Sequence, residues 1–338
     1  MNDTPGPKRI RASGFRPAPG LKNAHVQTVA GGLLPARLHA PVTRERWELP
    51  DGDFADVDWA EPETPRGWAL VLPGLVGDLR SPYATRMYNR LYRCGYRTGL
   101  LNYRGLSGTP NRFPASYHAG FTRDLDLVAR CLCKDHGPGI VIGYSMGGNL
   151  LLKWLGDCAG DVPVRAAVAI SAPFHLAPAA DHLSDGPARF YGRHLTRLML
   201  NRLRRKFRIT PPTSMPPMAK IRSIRDFDEH VTAPLHGFHG AMDYYERNSC
   251  IGGLGRISVP TLILNALDDP LIPRDSLPGN GTLSPQVTLE LSEHGGHIGF
   301  VERNGLGLPR FWLEGRALQF IDSHFGRKKN PTSQPGRA

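Results

Sequence analysis

Short apolar runs alternating with helical patterns constrain this chain more than any other feature. WALVLPG (68–74), YRTGLLNYRG (96–105), GIVIG (139–143) and VRAAVAIS (164–171) each read as a buried strand. Helical periodicity fills 82–94, 120–135 and 146–158 between them. PTLILNA from Pro260 and QVTLEL at 286–291 extend the series, and PRFWLEGRALQFIDSHF closes it as a helix. Strands that are apolar on both faces need cover on both faces, which a strand–helix–strand rhythm supplies. The expected fold is α/β, with a mostly parallel central sheet flanked by helices. Ahead of it, RERWELPDGDFADVDWA (44–60) alternates like a hairpin turning at Asp51-Gly52.

The rhythm breaks once. Between Ser171 and about Ser258 there is no clear strand, only helical or irregular sequence with Pro-rich joints. The expected organisation is a core in two parts, 21–172 and 258–326, with a helical cap inserted at 173–257. The Pro-, Gly- and Arg-rich residues 1–20 and the stretch 327–338 read as flexible tails.

Composition removes several classes. No apolar run approaches the ~20 residues that span a bilayer, and the N-terminal 20 residues contain no signal-type apolar stretch, so a cytoplasmic protein is expected. The five cysteines are an odd number without paired metal-like spacing, and read as buried free thiols in a reducing compartment. No metal or cofactor is expected. The net charge of +12 is concentrated, because 186–225 holds eleven Lys and Arg and no Asp or Glu.

The chemistry begins at GIVIGYSMGGNLLLKWLG (139–156), where Ser145 stands in a G-x-S-x-G between a strand and a long apolar helix. A serine capping that helix would be the ordinary explanation. A nucleophile on a tight strand-to-helix turn is the other, with the flanking glycines admitting neighbouring backbone and the helix N-terminus offering N–H groups to an oxyanion. Asn149, Lys153 and Asp157 fall on one stripe of that helix, predicting a buried support that reaches water along a single edge.

Such a nucleophile needs a base and an orienting acid, in the order Ser…Asp…His for this strand arrangement. LNALDDPLIP places Asp268 and Asp269 after one strand, and LSEHGGHIGF places His294 and His297 after the next. His297 is preferred because it follows the glycine pair that opens its loop, and Asp269 because it stands four residues ahead of Pro273. No HxxxH pair or carboxylate cluster accompanies them, which disfavours a metal site. ALVLPGLVGDLRSPY supplies the other half of an oxyanion hole: Gly74 and Gly77 frame Leu75, whose N–H would act beside that of Met146.

With these residues assembled, the chain resembles the YheT-like branch of the α/β-hydrolase superfamily from about Phe15 to Phe325. The matching pieces are NAHVQT (23–28), PGLVGDLRSPY (73–83), NYRG (102–105), GYSMGGNLL (143–151), APLHGFHGAMDYYERNS (233–249), PTLILNALDDP (260–270) and HGGHIGF (294–300). The resemblance implies an α/β-hydrolase core with a helical cap, a triad of Ser145, Asp269 and His297, and esterase-type chemistry on acyl esters. It implies substrates such as short- to medium-chain esters or monoacylglycerols, or acyl transfer to alcohols. Pro73 stands where the family usually has His, which removes any side-chain role there but leaves the Leu75 N–H. His25 belongs to the NxHxQT motif, and is expected to tie the N-terminal segment to the core.

In the basic segment, Tyr191, Leu195, Leu198, Met199 and Leu203 fall on one helical face while Arg189, Arg193, Arg197, Arg204 and Arg208 point elsewhere. A solvated face over a packed stripe is the plainer expectation. A cap resting on an anionic membrane surface is the functional one. Specific nucleic-acid binding is not expected, since recognition motifs and interleaved stacking aromatics are lacking. The sequence therefore predicts a serine ester hydrolase working through an acyl-enzyme. The alternatives are an acyltransferase or thioesterase with the same triad, or a basic surface-binding protein on a hydrolase scaffold.

Overall fold

The structure is a computed structural model and describes residues 9–158, 160–303 and 309–325. In chain order the elements run β1 (Ile10–Ala12), α1 (Ala24–Leu33), β2 (Thr43–Glu48), β3 (Phe54–Ala60), β4 (Trp68–Leu72), α2 (Pro82–Arg93), β5 (Arg97–Asn102), α3 (Arg123–His136), β6 (Gly139–Tyr144), α4 (Met146–Cys158) and β7 (Val164–Ile170). Every regular element between β7 and β8 (Thr261–Ala266) is helical. These are α5 (Leu176–His182), α6 (Arg189–Phe207), α7 (Ile224–Phe227), a π-turn at Asp228–Thr232, α8 (Ala233–His236), α9 (Ala241–Asn248) and short 3-10 turns. Then come β9 (Val287–Ser292), a small hairpin of β10 (Val301–Arg303) and β11 (Pro309–Phe311), and α10 (Trp312–Phe325).

Nine strands form one sheet in the order β1-β9-β8-β7-β6-β4-β5-β3-β2, parallel except where β3 pairs with β2 and β5. Alternate side chains leave a strand on opposite faces. Leu70, Leu72, Val141 and Ile263 therefore pack with Leu125, Val128, Leu150 and Trp154 of α3 and α4. Ala69, Val71, Ile140 and Ile142 pack with Met87, Leu91, Leu313 and Ile321 of α2 and α10. Both faces are covered, which is why these strands read as unbroken apolar runs.

Three expectations need correction. Residues 10–12, expected in a flexible tail, pair with β9, with Leu289 N donating to Arg9 O at 2.9 Å and Ser13 N to Leu291 O at 2.8 Å. Phe15 is buried beyond them, 5.0 Å from the Phe300 ring. Edge pairing of this kind is bought with backbone hydrogen bonds, which leave no hydrophobic pattern to read. Residues 1–8 and the expected tail 327–338 lie outside the described residues. The closing helix starts at Trp312 rather than Pro309, because 309–311 pair with β10. The cysteines are free, but only Cys250 is buried and Cys131 is exposed.

The stripe on α4 is also not what its polarity suggests. Asn149 is fully buried, and only Lys153 and Asp157 farther along approach water. Its amide donates to Ala119 O at 2.9 Å and Asn248 O at 3.0 Å, and its Oδ1 accepts from Cys250 N at 3.0 Å. One side chain thus joins α4 to the loop before α3 and to the end of α9. Asn149→Ala strands three buried backbone groups, so urea unfolding should show a loss of about 3 kcal/mol or more, while Lys153→Ala should change stability by less than about 1 kcal/mol.

Candidate active site

Ser145 occupies the turn between β6 and α4 with φ 51°, in the left-handed region that a residue with a Cβ rarely adopts. The turn is possible because backbone passes close by on both sides. A Cβ on Gly143 would lie 2.3 Å from Gly147 O, and one on Gly147 would lie 2.5 Å from Pro73 O. The strained turn aims the hydroxyl away from the sheet.

Asp269 follows β8 and His297 follows β9, on the same edge of the parallel sheet as Ser145. His297 Nε2 is 3.0 Å from Ser145 Oγ, and His297 Nδ1 is 2.8 Å from Asp269 Oδ2. Asp269 is held in turn by Leu271 N, 2.8 Å from its Oδ1. The neighbouring acid points elsewhere: Asp268 accepts from Gly296 N at 3.0 Å and lies 3.4 Å from His294. Burial raises the Asp268 carboxyl above the usual carboxylate range. The geometry thus separates two pairs, Asp269–His297 at the serine and Asp268–His294 beside it.

Leu75 and Met146 line the same cavity as Ser145 and His297. Neither backbone N–H has an acceptor among the described residues. The loop that carries Leu75 is pinned on both sides: Gly74 N donates to Tyr83 Oη at 2.9 Å, and Val76 N to Tyr117 Oη at 3.3 Å. A Cβ on Gly74 would sit 3.3 Å from the Ser145 Cβ, so this loop packs directly on the serine side chain. Tyr103 of the NYRG motif donates to Pro73 O at 2.9 Å and stacks on Tyr117. The Arg104 beside it is locked to Asp124 by hydrogen bonds of 2.8 and 2.6 Å.

The NAHVQT stretch supplies functional residues that the sequence left without a role. Asn23 caps α1, accepting from His25 N and Val26 N. Gln27 accepts from Val301 N at 2.7 Å and donates to Val301 O at 3.0 Å. Thr28 Oγ1 accepts from His297 N at 2.9 Å. α1 therefore holds the loop that carries the imidazole, and the signal was the clustering of polar residues in an otherwise apolar helix. His25 does not tie this segment to the core as expected: it is exposed, and its Nδ1 meets Tyr191 Oη of α6 at 3.0 Å. Gln27 and Thr28 perform the tie instead, because they lie on the face of α1 turned inward.

Ser145, Met146 and His297 open into a cavity walled by Leu176, Ala179, Leu183, Leu195, Met199 and Ile272, nearly all of it apolar. α6 contributes to this wall from its buried face, which also contains Leu203, Phe207 and, against expectation, Lys206. The Lys206 ammonium reaches inward to Ala115 O at 3.0 Å and Asn111 Oδ1, and burial pulls its pKa down to about 7. Burial also keeps His118 and His236 neutral, lowering them to about 3 and about 4. Among the described residues no group of three or more His, Cys, Asp or Glu is placed to hold a metal ion.

Thr28→Val removes the acceptor that fixes the His297 amide. It should slow covalent reaction of Ser145 with a fluorophosphonate roughly 10–100-fold, while Thr28→Ser keeps the wild-type rate; both are read from labelling time courses.

The pattern of the alpha/beta hydrolase fold family matches residues 69–304. An Escherichia coli (strain K12) protein named "Putative esterase YheT" is 38% identical over 324 residues, covering 93% of this chain and 94% of that one. Human phospholipase ABHD3 is 29% identical, covering 82% of this chain and 71% of its own, and human monoacylglycerol lipase ABHD2 is 26% identical, covering 89% and 78%. Among solved structures, the Pyrococcus furiosus esterase Pf2001 superposes with a TM-score of 0.55 at 15% identity, covering 86% of this chain and 95% of that one. No described helix is long and apolar enough to cross a membrane. Sequence, fold and relatives agree on an ester hydrolase, and the chain belongs to the YheT-like family of α/β hydrolases.

Proposed function

We propose that the protein is a serine carboxylic-ester hydrolase in which Ser145 is the nucleophile, His297 the general base and acid, and Asp269 the orienting carboxylate. The observation that carries this is the continuous relay from Ser145 Oγ to His297 Nε2 at 3.0 Å and from His297 Nδ1 to Asp269 Oδ2 at 2.8 Å. His297 takes the hydroxyl proton as Oγ attacks the ester carbonyl. The N–H groups of Leu75 and Met146 stabilise the oxyanion, and their unspent state favours that role. The tetrahedral intermediate collapses as His297 returns the proton to the leaving alcohol, giving an acyl-enzyme. Water, activated by the same imidazole, then releases the acid and regenerates Ser145. An alcohol in the place of water would give acyl transfer, and a thioester would be cleaved along the same path.

The apolar wall beside Ser145 supports short- to medium-chain acyl groups as substrates. The relatives named for phospholipid and monoacylglycerol hydrolysis make lipid esters, monoacylglycerols among them, the leading class.

A second role, peripheral contact with an anionic membrane surface, is favoured by the outer face of α6. Arg189, Arg193, Arg197, Arg205 and Arg208 are exposed there without a carboxylate partner among the described residues, and Phe190 is 75% exposed beside them. Each such cation contributes about 1 kcal/mol near an anionic leaflet.

Ser145→Ala should abolish fluorophosphonate labelling and lower kcat on p-nitrophenyl esters by roughly 10⁴–10⁶-fold; labelling that survives would overturn the assignment. Asp269→Asn should lower kcat about 10⁴-fold, and Asp268→Asn less than about tenfold, since its partner is not His297. Sedimentation with phosphatidylglycerol vesicles, lost when Arg193, Arg197 and Arg205 become Gln but kept in Ser145→Ala, tests the second role.

A further inference from the structure

The cavity at Ser145 shares Leu75, Met146, Asp228 and Tyr244 with a second cavity that reaches beneath α6, and the chemistry changes between them. Away from the catalytic residues and the shared Asp228 and tyrosine end, the first is walled mostly by aliphatic side chains. The second presents Asp228, Lys206, Arg104, Arg202, His118 and Tyr117 on partly aromatic walls, with Arg104 spent on Asp124 and Asp51 and one Arg202 nitrogen on Val76 O.

Asp228 stands at the boundary, buried, on the π-turn that breaks the regular helix. Tyr245 donates to its Oδ2 at 2.8 Å and Thr232 to its Oδ1 at 2.7 Å. Among the described residues no cation forms an ion pair with it. A carboxylate accepts about four hydrogen bonds, so acceptor capacity remains on both oxygens. Burial raises its pKa to about 6, against the opposing pull of the Thr232 and Tyr245 hydroxyls and of the Arg225 charge.

The donors opposite are equally unspent. Lys206 uses its ammonium on Asn111 and Ala115 and retains a third N–H. The hydroxyl oxygens of Tyr117 and Tyr244 accept from Val76 N and Ala119 N, and neither hydroxyl proton has an acceptor among the described residues.

A plain alkyl chain filling this space would leave these groups dry, at about 1–3 kcal/mol for each unmet donor or acceptor. A simple anion would face Asp228, and a simple cation would face Lys206 and Arg202. A group that both donates and accepts satisfies the whole set. We propose that the inner cavity is a binding subsite for a hydroxyl-bearing arm of the ester, with Asp228 as its acceptor and Lys206 and Tyr117 as its donors.

This rests on the reaction assigned to Ser145, because Leu75 and Met146 line both cavities and so place the carbonyl at their junction. One arm of the substrate then enters the apolar cavity and the other the polar one. The hydroxyls can belong to the alcohol, as in a glycerol monoester, or to a hydroxylated acyl chain.

Two matched pairs separate these sources: 1-monohexanoylglycerol against propyl hexanoate, and p-nitrophenyl 6-hydroxyhexanoate against p-nitrophenyl hexanoate. The kcat/KM ratio within each pair is read in wild type, Asp228→Asn, Lys206→Met and Tyr117→Phe, so a general loss of activity cancels. The same ratios are taken as Kd values by calorimetry in the Ser145→Ala background, which reports on the subsite even if the catalytic assignment fails. A preference of about tenfold or more for the hydroxylated member of one pair, falling to within about threefold in the variants, is expected. Preference in the first pair assigns the alcohol arm, and preference in the second the acyl arm. No preference in either pair, or a preference untouched by all three variants, overturns the proposal.

Discussion

The structure depends on one place where backbone passes backbone. At Gly143 and Gly147 there is no room for a Cβ, and the chain between them turns through a left-handed residue to leave a strand and enter a helix. That approach brings Pro73 and the loop after β4, with the unbonded Leu75 amide, against the start of α4 and the side chain of Ser145. Because β4, β6, β7, β8 and β9 are parallel and adjacent, the loops after four of them emerge at one edge. The serine, the acid, the imidazole and the Leu75 loop therefore share one edge although they range from 75 to 297 in sequence.

How much of this was legible follows from what each interaction leaves in the sequence. Strands buried on both faces announce themselves as apolar runs, and the bounds of β4 to β9 were placed to within three residues. Ser145, Asp269 and His297 were legible because each stands directly after such a run, flanked by Gly or Pro. β1 was not, since its pairing is made by peptide groups whose side chains, Ile10, Arg11 and Ala12, show no pattern. Asn149 misled because polarity on a helix is ordinarily spent on water, and here it is spent on three peptide groups. His25 and Thr28 share a motif, but only the structure separates the one that meets α6 from the one that holds the imidazole loop.

The basic segment divides along similar lines. Its excess charge was plain from composition, yet Lys206 belongs to the interior while its neighbours Arg205 and Arg208 belong to the surface. Helical spacing alone cannot make that distinction, because a long cationic side chain is tolerated inside wherever a carbonyl and an amide oxygen await it. α6 is thereby both wall and exterior: its inner face shapes what reaches Ser145, and its outer face carries the protein's charge.

The bond from His297 N to Thr28 Oγ1 spans 269 residues. Ser145 is tied to the end of β7 through Ile170 O, but the loop that carries His297 is held by Thr28 only when the C-terminal part of the chain closes on the N-terminal part. Contacts of such long range carry a large loop-closure cost and are slow to form. On the reaction proposed above, reactivity at Ser145 then reports whether the first and last parts of the described chain have closed on each other.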